Sequence, residues 1–150
     1  SIKSGQCVPH AWNIVDINGE PYQLDVTWDI GTAKSRKIIY DYFNLTDSLM
    51  NLEHRPENIL PKCNKSSANY FVKAKCDFHT RYGLSRHIQK QIEQGKKEIF
   101  FRVNGMLKNE NIIDMVDAIL RQKYQSIETT RVGFSYNSNE KIGVYYIRIN

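Results

Sequence analysis

β-Forming residues run on both sides of Asn18-Gly19, from His10 to Ile17 and from Glu20 to Asp29, and this pattern predicts two strands meeting at a tight turn. Asn-Gly suits a type I′ hairpin because both residues tolerate positive φ. With these two as the loop, Ile17 faces Glu20, Val15 faces Tyr22, Asn13 faces Leu24, Trp12 faces Asp25 and His10 faces Thr27. Ile30 to Ser35 then reads as a small polar loop and Ile38 to Tyr42 as a short strand. Thr46 is placed to cap a brief helix through Met50. Pro56 and Pro61 make Glu53 to Lys65 irregular. The alternation in Asn69 to Lys75 reads as an edge strand or an extended connection.

From Leu84 the period changes. Leu84, Ile88 and Ile92 recur at helical spacing, with Ser85 as the cap and Gly95 as the stop. Lys97 to Val103 is a strand, Asn104-Gly105 a turn, and Asn109 the cap of a second helix whose face carries Ile112, Ile113, Val116, Ile119 and Leu120. Two strands close the chain, Glu128 to Tyr136 and Lys141 to Ile149, around a turn at Asn137 to Glu140. The class is α+β, with one domain over residues 1–80 and a second, small α+β domain over 81–150. The boundary is expected near His79 to Gly83. In the second domain two amphipathic helices are expected over a three-stranded sheet, and its pattern carries no chemistry.

The predicted hairpin register puts His10 and Asp25 on one face, a diagonal step apart, where an imidazole reaches a carboxylate. A carboxylate on one ring nitrogen fixes the tautomer and leaves the other nitrogen to take a proton from a nucleophile. His10 and Asp25 are therefore the candidate catalytic residues. Trp12 shares their face and either shields the pair from water or is simply core. Trp28 is expected inside, Asn13 as a structural amide on the opposite face, and Asp29 as a backbone acceptor.

The string HAWN, a short turn, a Tyr and then LDVTWD resembles the His and Asp segment of the transglutaminase-like superfamily, whose members use a Cys-His-Asp triad in a papain-like arrangement. His10 matches the triad histidine, and Asp25, with Thr27 and Trp28 in its DxTW context, matches the triad aspartate. Phe43 to Arg55 and Leu60 to Phe71 also resemble the segments downstream of the triad in bacterial members, and the likeness fades after about residue 80. The resemblance implies that residues 1–80 are an antiparallel remnant of a transglutaminase-like core. It implies thiol acyl transfer or peptide hydrolysis on a protein or peptide substrate, without a cofactor.

In the family the nucleophilic cysteine precedes the histidine at a helix N-terminus. Only nine residues precede His10, and Cys7 is expected to point to the opposite face of the extended segment. The chain therefore reads as the C-terminal part of a bacterial member, inactive alone, with an apolar edge prone to self-association where the absent part packs. The alternative is a non-catalytic module that binds a protein or cell-wall material on the same scaffold.

Composition adds limits. In 150 residues, 41% apolar and 25% charged content is that of a globular protein, and no apolar run approaches a membrane span. The net charge of +5 invites a nucleic-acid reading, but the basic groups at Lys34, Arg36 and Lys37, at Lys73 and Lys75, and at Lys96 and Lys97 are dispersed and read as solvated surface, so no nucleic-acid partner is expected. Cys7, Cys63 and Cys76 have no CxxC spacing; a Cys63-Cys76 bridge and free buried thiols both remain open. An extracellular or cell-envelope location suits the bridge. His54, His79 and His87 lack metal-ligand spacing and are read as surface or helix-end histidines, so no metal is expected.

Overall fold

The computed structural model describes residues 2–3, 6–33, 36–37, 39–124 and 133–150, with side chains described from residue 8 onward except at Ala33. It is an α+β structure that divides into two compact units, Ser1–Lys75 and Cys76–Asn150.

The first unit begins with two short antiparallel strands, β1 (Ile2–Lys3) and β2 (Gln6–Cys7). A hairpin comes next, β3 (Asn13–Ile17) and β4 (Glu20–Leu24), in the register that the turn predicts: Asn13 opposite Leu24, Val15 opposite Tyr22 and Ile17 opposite Glu20. Asn18 and Gly19 both take positive φ, 55° and 81°, and Asp16 accepts the Gly19 N–H.

Pairing stops at Leu24, however. Val26–Ala33 is a helix, α1, where the alternation points to the rest of a strand and then a loop. The cause is Asp25: its Oδ1 accepts the Trp28 N–H at 3.0 Å and its carbonyl accepts the Asp29 N–H, which is N-cap geometry. Thr27 is thus helical and does not face His10.

The segment after α1 returns beside β4 through one antiparallel bridge, Gln23 to Leu45. Tyr40 to Tyr42 is not strand, because the Tyr42 N–H goes to the Asp29 side chain; Ile38 of that expected strand lies outside the described residues. Helix α2 (Asp47–Met50) starts after Thr46 as expected, although the Thr46 hydroxyl meets Ser48 rather than capping the backbone. The stretch from Asn51 to Asn69 holds turns and irregular chain. Tyr70–Lys73 is a helix, α3, not a strand, since Asn69 Oδ1 accepts the N–H groups of Phe71 and Val72.

The second unit carries a four-stranded mixed sheet in the order β5 (Asp77–Phe78), β6 (Glu98–Val103), β8 (Val144–Ile149), β7 (Phe134–Asn139). The strand that the sequence pattern does not reveal is β5, two residues long and parallel to β6; a run that short has no detectable period. Helix α4 (Arg81–Glu93) is capped by Thr80, which accepts the Gly83 N–H, and not by Ser85. Helix α5 (Ile112–Tyr124) takes its cap from Asn111; Asn109, expected in that role, instead ends a 3-10 turn, Gly105–Asn109. Strand β7 runs on to Asn139, so the turn falls at Glu140 to Gly143; the Glu128 to Val132 part of the expected strand lies outside the described residues. Gly143 takes φ 80° and sits where a Cβ would come within 2.1 Å of the Val103 carbonyl oxygen, so that turn admits only glycine.

The core of this unit is made by Leu84, Ile88 and Ile92 from α4, five apolar residues of α5, and the sheet residues Ile99, Phe101, Val103, Tyr145, Ile147 and Ile149.

Candidate functional site

The site of the first unit is built around one carboxylate. Asp25 is 1% exposed and stands between the end of β4 and the start of α1. Its backbone N–H donates to the Tyr42 carbonyl at 2.9 Å, so both its main chain and its Oδ1 are fixed before any functional contact is made. The other oxygen, Oδ2, is met by Nε2 of His10 at 2.6 Å and by Nε2 of His54 at 2.7 Å. The expected His10 and Asp25 pair is formed, but by a different route from the predicted one. Asp25 is not a ladder residue, and its reach comes from the helix cap.

His54, expected as a surface or helix-end histidine, is neither: it is 0% exposed. Its backbone N–H donates to the Met50 carbonyl at 3.0 Å, so the turn that ends α2 aims the ring. Around that ring stand Trp28 at 4.4 Å between centroids, Trp12 at 4.8 Å edge-on and Tyr42 at 5.7 Å. Trp12 also stacks on His10 at 6.4 Å, and Trp28 tilts against His10 at 5.6 Å. Trp12 therefore does border the His-Asp contact. Its indole N–H donates to Gln23 Oε1, Gln23 Nε2 donates to Asp47 Oδ1, and the other Asp47 oxygen accepts the Cys63 N–H. This chain of bonds holds Trp12 upright. Asn13, expected as a structural amide, is exposed.

A second polar group lies beyond. Asp29 is buried and accepts the Tyr42 N–H at 2.7 Å, while the Tyr42 hydroxyl donates to Glu53. Arg36, expected on the solvated surface, is buried in a two-pronged bond to Asp41 at 2.9 and 3.0 Å.

Burial pushes the Asp25 carboxyl up, but the N–H groups of Trp28, His54 and His10, with the charge of His10, outweigh it and hold the group below its ordinary value. Burial pushes His54 down, against the pull of Asp25. Asp29 is pushed up to about 7, first by burial and then by the charges of Asp41 and Asp25, against the bond from Tyr42.

His10 is half-buried and lines an open cleft of about 670 Å³ together with Pro9, Trp12, Ile14, Arg55 and Leu60. With Nε2 on Asp25, Nδ1 is the ring nitrogen available for proton transfer. The donors of His10, Asp25 and His54 also lie within 4.8 Å of one another, and they are the described residues with the composition to hold a metal ion.

The thiols are placed less favourably. Cys63 and Cys76 are free and buried, so the bridge between them is not formed. Burial, then Asp47, pushes Cys63 up to about 11; burial, then Asp77, pushes Cys76 up to about 12. The side-chain direction expected for Cys7 lies outside the described residues. Among the described residues no helix is long and apolar enough to cross a membrane. Comparison with family models and with curated proteins finds no match to the chain.

No period or spacing in the residue order links His54 to Asp25.

Proposed function

We propose that the residues around Asp25 are the histidine and carboxylate of a transglutaminase-like thiol acyl transferase or cysteine peptidase. The observation that supports this most is the 2.6 Å bond between Asp25 and His10 Nε2, on a ring that lines an open cleft. In this reading a cysteine at the family's upstream position, on a longer form of the chain, attacks a glutamine side-chain amide or a peptide carbonyl. His10 Nδ1 accepts the thiol proton and returns it to the leaving amine. Asp25 fixes the ring and stabilises the imidazolium. Water or a second amine then resolves the thioester, giving hydrolysis or cross-linking. Neither Cys63 nor Cys76 suits the role, because both thiols are buried and held far above neutrality.

The alternative is a binding module for protein or cell-wall material in which the His-Asp pair is structural. Treating the full-length protein with a thiol-directed acylating inhibitor separates the two. The catalytic reading predicts a covalent adduct on one cysteine, formed at least about a hundredfold more slowly after His10→Ala. No adduct, or an adduct formed equally fast in the variant, removes it.

A further inference from the structure

Asp25 Oδ2 serves two imidazoles at once, and the surroundings of the second ring decide what it does. A divalent metal held by both Nε2 atoms would force the remaining proton of His54 onto Nδ1, and a ligating histidine nearly always gives that proton to a further acceptor. Nδ1 of His54 is fully buried and has no partner among the described residues. A protonated His54 meets the same obstacle, since both of its nitrogens would then carry protons and one would point at nothing. A neutral ring with its proton on Nε2 leaves only a bare lone pair at Nδ1, which is the least costly of the three states. The depressed basicity of the buried ring agrees with this.

We infer that His54 is a positioning residue: a neutral donor that, with the Trp28 N–H, clamps the Asp25 carboxylate so that Oδ2 holds His10 with its proton on Nε2 and its Nδ1 unprotonated. Without His54 the carboxylate keeps the Trp28 N–H on Oδ1 but has His10 alone on Oδ2, so it turns more freely about its bond to Cβ, which weakens its hold on the His10 proton. Trp12, Trp28 and Tyr42 keep water from replacing the missing donor. The value of the clamp for acyl transfer rests on the function proposed above; the clamp itself does not.

Long-range proton-nitrogen NMR of the 15N-labelled 150-residue chain at neutral pH reads the tautomer of each ring. The expected spectrum shows both His10 and His54 protonated on Nε2. In His54→Phe the tautomer ratio of His10 falls about tenfold or more toward a mixture, and in His54→Gln, whose amide N–H can replace the lost donor, the ratio recovers. Finding His54 protonated on Nδ1 in the unmodified chain overturns the inference, and that reading needs no variant to fold. So does a folded Phe variant with an unchanged His10 ratio, or a shift of both rings to the Nδ1-protonated form when zinc is added, which would establish a metal site instead. If the tautomers are as stated while the full-length protein forms no thiol adduct, the clamp stands and the catalytic proposal falls.

Discussion

The two units of this chain are of equal length and both bury apolar side chains, but they differ in how many polar ones they bury. Among the described residues, the first buries Gln23, Asp25, Asp29, Arg36, Asp41, Asn44, His54 and Asn69; the second buries Arg102 as its one polar side chain of that class. Buried polar groups cost free energy unless each finds a partner, so a region rich in them is organised by hydrogen bonds and one without them by volume. In the first unit many of these groups are tied to a backbone amide or carbonyl: Asp25 to Trp28, Asp29 to Tyr42, Asn69 to Phe43 and Phe71, Asn44 to Ala68. In the second, Asp77 answers Arg102 in a two-pronged bond, and the rest of the core is apolar contact. The contrast is one of how geometry is held: polar networks fix directions, while apolar packing fixes only space.

The largest effect should come from removing the centre of the network. Asp25→Ala deletes the α1 cap and the acceptor of two imidazoles, and should destabilise the first unit by on the order of 5 kcal/mol. Both tryptophans of the chain, Trp12 and Trp28, lie in that unit, so urea unfolding followed by tryptophan fluorescence reports it. The counterpart is Phe101→Ala, a fully buried ring stacked on Tyr145 at 5.5 Å, which should cost about 4 kcal/mol by far-ultraviolet circular dichroism. An Asp25→Ala loss below that of an ordinary surface substitution would erase the distinction between the units.

A smaller effect sharpens it. Asp29 is pushed up to about 7, so the folded unit keeps a proton that the unfolded chain releases above 3.8, and stability falls as pH rises between those values. His54 acts in the other direction: its depressed value means stability is lost as pH falls below 6.5. Asp29→Asn keeps an oxygen for the Tyr42 N–H but removes the buried charge. It should gain about 1–2 kcal/mol at about pH 8 and leave a unit whose stability only rises between acid and neutral pH. An identical pH profile in both proteins would refute the assignment.

Much of this arrangement is legible from residue order, but unevenly. The hairpin register follows from Asn18-Gly19 because a two-residue turn leaves one way to pair. That register brings His10 and Asp25 together, and they do touch, yet the carboxylate reaches the ring from a helix cap rather than from a ladder. A helix start after a strand is hidden when the first helical residues are Val26 and Thr27, which favour strand. The same competition hides α3, where Asn69 capping outweighs the alternation of Tyr70 to Lys73. His54 is illegible for another reason: 29 residues separate it from Asp25, and only packing of the α2 turn against the indoles brings them together. Arg36 reads like its basic neighbours because charge pattern alone does not distinguish its partner, Asp41.

The most direct measurement of the central claim is the proton NMR spectrum of the imidazole N–H groups. Two bonds to one buried oxygen should give two downfield Nε2–H resonances with slowed solvent exchange, one from His10 and one from His54, that vanish together in Asp25→Ala. Absence of both from the unmodified chain, or their survival without the carboxylate, would contradict the arrangement on which the function is argued.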